Sequence, residues 1–209
     1  HSGVDDMDPS LSADGSKVAW TSYYNGNYEV YVASTDGLGQ IVNVSREPYA
    51  RDLSPSISAD GRLIAFGSNA TNLVPDDTNG ASDVFVHDRQ SGVTTRVSVD
   101  GAGSQANGAS TYVSISGNGR YVAFDSLATN LVAGDTNGQS DVFVRDTQTG
   151  ATTRESRDSA GGPANGGSYY PMISADGRCV SFISSATDLT PGDTNGVYDV
   201  FVRDRQSAT

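Results

Sequence analysis

The stretch Pro55-Ser56-Ile57-Ser58-Ala59-Asp60-Gly61-Arg62-Leu63-Ile64-Ala65-Phe66 decides the fold. Apolar and polar residues alternate on both sides of Asp60-Gly61, the period of a strand with one buried face. Glycine tolerates positive φ, so Asp60-Gly61 reads as a tight hairpin turn between two strands. The same phrase occurs three more times. Pro9 to Gly15 precedes Lys17-Val18-Ala19-Trp20, Val113 to Gly119 precedes Tyr121-Val122-Ala123-Phe124, and Pro171 to Gly177 precedes Cys179-Val180-Ser181-Phe182. The copies start 46, 58 and 58 residues apart. Periods in this range mean propellers or solenoids.

Each copy continues alike. A third strand follows as Glu29-Val30-Tyr31-Val32, Asp83-Val84-Phe85-Val86, Asp141-Val142-Phe143-Val144 and Asp199-Val200-Phe201-Val202. A polar turn then leads to a fourth strand, Thr94-Thr95-Arg96-Val97-Ser98 in the second copy, with counterparts in Gln40 to Ser45 and Ala151 to Ser156. Helical periodicity is absent. The expected fold is all-β, a β-propeller of four-stranded antiparallel blades that pack through the aromatics of their second and third strands. Leu11 and Val18, like Ile57 and Ile64, are expected to face the core.

Residues 1–209 read as a single propeller-type domain with blades at about 7–45, 53–99, 111–157 and 169–209. The last copy stops before its outer strand. Closure would then need residues 1–6, a neighbouring chain or further sequence, which makes the chain a segment of something larger or one unit of an assembly. An unfilled sheet edge is a template for strand addition.

The run P-S-I-S-A-D-G-R-x-I-A-F, followed by D-V-F-V-x-D, resembles the TolB-type, WD-like β-propeller repeat of bacteria, over essentially the whole chain. The resemblance implies the fold. It does not choose a role, because such repeats serve many.

Composition narrows the role. Hydrophobic residues make up 36% and charged residues 18%, and 24 glycines and many small polar residues fill the difference, as a turn-rich chain requires. With 25 acidic against 13 basic residues the net charge is −12. That leaves no basic footprint for nucleic acid. No apolar run approaches the ~18 residues of membrane insertion. The single Cys179 excludes an internal disulfide framework and a thiolate zinc site. A chain opening at His1 reads as one whose leader has been removed, and the expected location is extracellular or periplasmic.

The loops between second and third strands carry the chemistry. Nine residues separate Trp20 from Glu29, whereas 17 separate Phe66 from Asp83, Phe124 from Asp141 and Phe182 from Asp199. Each insertion ends in D-x-N-G-x-x-D. Calcium takes six to eight hard oxygens at ~2.3–2.6 Å, which short acidic side chains on a turning backbone supply. The candidate ligands are Asp77, Asn79 and Asp83; Asp135, Asn137 and Asp141; and Asp193, Asn195 and Asp199. The motif resembles the calcium loops D-x-D-x-D-G-x-x-D of other propellers, but departs at the first position, where Pro75, Ala133 and Pro191 stand. Plain turn chemistry is the alternative. An Asn-Gly turn, an aspartate capping loop amides, and Leu73, Leu131 and Leu189 tucking the loop onto the blade explain the same residues. The first copy has Tyr23 in place of the first acid and is expected to hold no metal. Asn107 and Asn165, in the loops between blades, fall on the same side and are the expected binding face.

Catalysis has little to work with. The chain has two histidines, His1 and His87, and lacks a G-x-S-x-G elbow, a phosphate loop and an H-E-x-x-H motif. The expected function is a non-catalytic, extracytoplasmic binding or scaffold module with calcium-stabilised loops and a protein or carbohydrate partner. The alternatives are a self-assembling structural subunit joined to copies of itself through open blade edges, and an accessory domain of a hydrolase.

Overall fold

The computed structural model describes residues 5–24, 26–37, 39–45 and 53–207, and every regular element in them is a strand. Blade 1 contains β1 (Asp5–Leu11), β2 (Lys17–Tyr24), β3 (Asn27–Ser34) and β4 (Val42–Asn43). Blade 2 contains β5 (Leu53–Ile57), β6 (Leu63–Ser68), β7 (Asp83–Asp88) and β8 (Val93–Arg96). Blade 3 contains β9 (Ser110–Ile115), β10 (Tyr121–Ser126), β11 (Asp141–Asp146) and β12 (Thr152–Arg154). Blade 4 contains β13 (Ser168–Ile173), β14 (Cys179–Ser184) and β15 (Asp199–Asp204). Strands pair in chain order and always antiparallel, giving three four-stranded sheets and one three-stranded sheet.

The turn between first and second strands recurs for a local reason. Asp14, Asp60, Asn118 and Asp176 each accept a hydrogen bond from the serine two residues before and from the backbone amide two residues after. Such a side-chain cap fixes the turn independently of the rest of the fold.

The first strands β1, β5, β9 and β13 meet each other from blade to blade and so lie innermost. Every joint uses the same two bonds. The Oγ of Ser10, Ser56 and Ser114 accepts from the amides of Ile57, Ile115 and Ile173 at 3.2, 3.0 and 3.1 Å. The amides of Ala13, Ala59 and Gly117 donate to the carbonyls of Ala59, Gly117 and Ala175 at 3.0, 2.9 and 2.9 Å.

Apolar packing fills each joint with small residues against large ones. Ala19, Val30 and Val32 meet Ile64, Phe66 and Phe85. Ala65, Val84 and Val86 meet Val122, Phe124 and Phe143. Ala123, Val142 and Val144 meet Val180, Phe182 and Phe201. The aromatic pairs sit 6.0, 6.0 and 5.9 Å apart by ring centroid.

Two expectations need correction. Leu11 does not enter the core: it is 61% exposed, because no described blade packs on that side of blade 1. Residues 5 and 6 do not complete blade 4, because Asp5 and Asp6 pair with Tyr23 and Ser22 inside blade 1; residues 1–4 lie outside the described residues. At the other end, Val200 and Val202 are 74% and 64% exposed, although their counterparts in blades 2 and 3 are buried.

The joint between blades 2 and 3 sets the expected cost of a core truncation. Phe124 is fully buried. Phe124→Ala is expected to remove about 3–5 kcal/mol of stability and lower the thermal midpoint by roughly 10 °C. Leu11→Ala is expected to lower it by far less, and calorimetry of the two variants measures the difference.

Candidate functional site

The insertion loops return to the blade through a left-handed residue: Gly134 and Gly192 have φ of 73° and 87°, and Asp76 takes the same place at 60°. Asparagine then organises each loop. Asn79 Oδ1 accepts from the amide of Ala81 at 2.9 Å, and its Nδ2 donates to Asp83 Oδ2 and to the carbonyl of Ala106, both at 3.0 Å. Asn137 repeats this with Gln139, Asp141 and Ala164 at 3.0, 2.9 and 2.9 Å. Asn195 repeats it with Val197 and Asp199 at 3.0 and 2.8 Å. The closing aspartates are held from the outer strand as well, since Ser98 and Ser156 donate to Asp83 and Asp141 at 2.6 Å.

The cation facing these carboxylates in blades 2 and 3 is an arginine. Arg96 Nη1 lies 3.3 Å from Asp77 and 3.6 Å from Asp83, and Arg154 Nη1 lies 3.6 Å from Asp135 and 3.9 Å from Asp141. All six side chains are largely buried. In blade 2 Gln105 Nε2 also donates to Asp77 and Asp83, at 2.7 and 3.0 Å. Blade 1 has a single carboxylate at this level, Glu29, and it meets neutral donors instead: Asn43 Nδ2 at 2.8 Å and the Tyr31 hydroxyl at 2.5 Å. Two carboxylates thus take an arginine, and one takes an amide and a phenol. In blade 4 Asp193 and Asp199 form no ion pair among the described residues.

This donor set does not fit calcium in blades 2 and 3. Calcium needs converging oxygens. Here a guanidinium and an amide NH2 point at the carboxylates, and no cluster of three or more His, Cys, Asp or Glu suited to a metal forms among the described residues. The turn reading accounts for the leucines as well. Leu131 is buried, and Leu73 and Leu189 pack partly buried against the neighbouring core. Arg96, Arg154, Ser98 and Ser156 are the partners of the loop carboxylates that the sequence reading missed. Their signal was the repeat Thr-Arg-x-Ser at 95–98 and 153–156.

Asn107 and Asn165 lock neighbouring blades together. Asn107 donates from its amide to Asn130 Oδ1 (2.9 Å) and from Nδ2 to Thr129 Oγ1 (2.9 Å), and accepts from the Thr129 amide (2.8 Å). Asn165 does the same with Asp188 and Thr187. Each inter-blade loop is thereby tied to the following insertion, so the rim is one hydrogen-bonded surface.

The inner strands hold a second feature. Each carries a bulge at the same place, and the bulged residue is left-handed: Asp8 (52°), Ser54 (54°), Tyr112 (32°) and Tyr170 (53°). This conformation is uncommon for a tyrosine and turns the side chain out of the ladder. Tyr112 and Tyr170 are 41% and 50% exposed, with ring centroids 4.2 Å apart. Beside them Asp125 is buried, accepting from Thr111 Oγ1 at 2.7 Å and from the Tyr170 amide at 3.4 Å. Burial pushes the Asp125 carboxyl up to about 6, against those two hydrogen bonds. A cleft of about 370 Å³ runs from Tyr112 past Thr111, Ser54, Gly67 and Asn69. His87 is buried elsewhere, 3.0 Å from Thr94 Oγ1.

No protein-family model matches this sequence, and no curated protein matches it. Solved structures do. TolB from Acinetobacter baumannii aligns with a TM-score of 0.64 at 18% identity, over 98% of this chain and 42% of its own. A puromycin-hydrolysing peptidase of Mycobacterium tuberculosis aligns with a TM-score of 0.64 at 14% identity, over 98% of this chain and 28% of its own. The β-propeller domain of the Trilobed protease from Pyrococcus furiosus, which has an open velcro topology, aligns with a TM-score of 0.56 at 13% identity, over 95% of this chain and 54% of its own. The chain therefore spans less than two thirds of each of these proteins. At such identities the likeness concerns the fold, and the fold is that of a TolB-like β-propeller, present here as four blades in an open arrangement.

Two measurements follow from the carboxylates. Calcium titrated calorimetrically into chelator-treated protein is expected to give no heat from the loops of Asp77 and Asp135. Heats lost stepwise in Asp77→Ala and Asp135→Ala would contradict the arginine assignment. Asp141, like Asp125, is raised to about 6 from 3.8, mainly by burial, with the charge of Asp135 adding to it. The fold thus favours the protonated form of both. Their contribution to stability is most favourable below about pH 4, falls as the pH rises through 6, and is level above that, by up to roughly 3 kcal/mol for each group. Urea unfolding between pH 4 and 7 is expected to show this fall, and Asp125→Asn to make it shallower.

Proposed function

We propose that this chain is a non-catalytic binding or scaffold module that acts outside the cytoplasm and receives a protein or carbohydrate ligand at the tyrosine step of its inner strands. The exposed Tyr112–Tyr170 pair carries this reading. Tyrosine offers a large apolar face with a polar tip and little rotamer entropy to lose, which suits it to recognition surfaces. The left-handed bulges hold both rings outward, and the adjoining cleft has room for a ligand segment. The hydrogen-bonded rim of Asn107 and Asn165 supports the scaffold part, since it keeps blades 2 to 4 in fixed relation.

A catalytic role has less support. His87 is the one histidine among the described residues, and it is buried against Thr94. The acidic composition and the likeness to bacterial TolB repeats support an extracellular or periplasmic setting. A structural subunit that self-assembles is the second reading, favoured by Leu11 at one end and Val200 and Val202 at the other, which leave the two halves of a blade joint exposed.

Glycan and peptide arrays probed with the wild-type chain and with the double variant Tyr112→Asn, Tyr170→Asn test the first reading. Asparagine tolerates the left-handed backbone, so the fold is retained. The expected result is a ligand bound by wild type and lost at least tenfold in the variant. Equal binding by both would remove the tyrosine step as the site.

A further inference from the structure

Positions 58 residues apart correspond in blades 2, 3 and 4, and at one place the joints between blades differ. Just past the third strand of blade 4, Arg205 reaches into the joint with blade 3. Its Nη1 donates to the Gly177 carbonyl at 2.7 Å and its Nε to Glu155 at 3.1 Å, and its guanidinium lies 4.5 Å from the centre of the Tyr121 ring. Arg89 makes the same carbonyl bond in blade 2, to Gly61 at 2.8 Å. In blade 3 the position holds Thr147, whose short side chain turns back to the Arg120 carbonyl at 2.9 Å.

The facing positions in blade 2 have changed as well. Leu63 stands where Tyr121 does in blade 3, and Val97 where Glu155 does. The Gly119 carbonyl, counterpart of those of Gly61 and Gly177, accepts no hydrogen bond among the described residues. What remains between blades 2 and 3 is a pocket of about 430 Å³, a size usual for small-ligand sites. Leu63, Val86 and Val97 line it, and so does Val93, which is 56% exposed. Arg145 shares the lining. Its Nη1 donates to the carbonyls of Asp100 and Gly150 and to the Thr152 hydroxyl, but its Nε and Nη2 make no hydrogen bond or ion pair among the described residues. The surrounding acids are engaged elsewhere: Asp88 with Arg62, Asp146 with Arg120, and Asp100 with the amides of Ala102 and Ser104.

We propose that the pocket between blades 2 and 3 binds an apolar carboxylate, an aliphatic or aromatic acid whose body covers Leu63, Val93 and Val97 and whose carboxylate meets Nε and Nη2 of Arg145. That edge of a guanidinium is a fork matched to a carboxylate. Arg62 and Arg120 use the same edge to grip Asp88 and Asp146. The neighbouring joint shows what the place accommodates. Between blades 3 and 4, Arg203 and Arg205 lie in one joint with Glu155, whose carboxylate accepts from Arg205 Nε and whose carbonyl accepts from Arg203 Nε. Between blades 2 and 3 Val97 replaces that acid, and the carboxylate of the ligand restores it. A cationic ligand reaches the Gly119 carbonyl but sets a second positive charge beside Arg145 with no acid between them. A neutral ligand leaves the fork of Arg145 unused.

The test titrates octanoate, octanamide and octylammonium calorimetrically into the full chain at neutral pH and about 0.15 M salt, where exposed charges beyond roughly 8 Å are screened. The expected result is saturable one-to-one binding of octanoate, with octanamide and octylammonium at least tenfold weaker. Arg145→Gln is expected to weaken octanoate at least tenfold and octanamide little, the signature of a direct pair. The double variant Thr147→Arg, Val97→Glu rebuilds the plug found between blades 3 and 4, and is expected to abolish octanoate binding while thermal unfolding stays cooperative. No saturable heat from octanoate, or octanamide or octylammonium binding as tightly, overturns the proposal on the wild-type chain alone. Octanoate bound equally well by the plugged variant assigns the heat to another surface and also overturns it.

Discussion

The joint between blades is the constraint from which the rest follows. One side presents alanine and valine, the other a stacked pair of phenylalanines, and the two interlock because a flat small-residue surface admits a bulky one at close range. Neither side is stable when wet. A single four-stranded sheet has two apolar faces and cannot bury both alone, so blades must stack in series. The serine-to-isoleucine and alanine-to-carbonyl bonds at the inner strands then fix the angle of each step. An open row of four blades necessarily ends in two unmatched faces. This is why Leu11 at one end and Val200 and Val202 at the other are exposed, although their alternation is the same as in the middle blades.

The loops obey a second constraint, charge matching in a dry place. Burying two carboxylates together is costly unless an opposite charge joins them. Blades 2 and 3 offset part of that cost with Arg96 and Arg154 from the outer strand, and blade 1 avoids it by carrying only Glu29. Loop and outer strand are therefore one unit, far apart in sequence and joined by ionic contact. In blade 4 the described residues include the loop but no outer strand. Its aspartates are accordingly less buried than Asp83 and Asp141.

Relations within one repeat were legible in the sequence. Alternation with period two, the Asp-Gly turn and the recurrence of both gave the strands and their order within each copy. These are local or periodic properties, and each repeat confirms the reading of the others. The candidate site was only half legible. Asp77, Asn79 and Asp83 do converge, as do Asp135, Asn137 and Asp141. Spacing alone could not tell whether a metal, a turn or an arginine stands among them.

Tertiary structure decided what spacing left open. Arg96 lies 19 residues beyond Asp77 in the chain, and only the pairing of β7 with β8 brings it back over the loop. Tyr112 and Tyr170 are 58 residues apart and look like ordinary strand residues. The bulges that turn them outward lie in the pairing of first and second strands within blades 3 and 4, and the packing of β13 against β9 brings one ring onto the other. The sequence by itself determined the blade, because a blade is built from neighbours along the chain. The structure decided the surfaces, because these are made where blades meet and where an outer strand returns over the loop of its own blade.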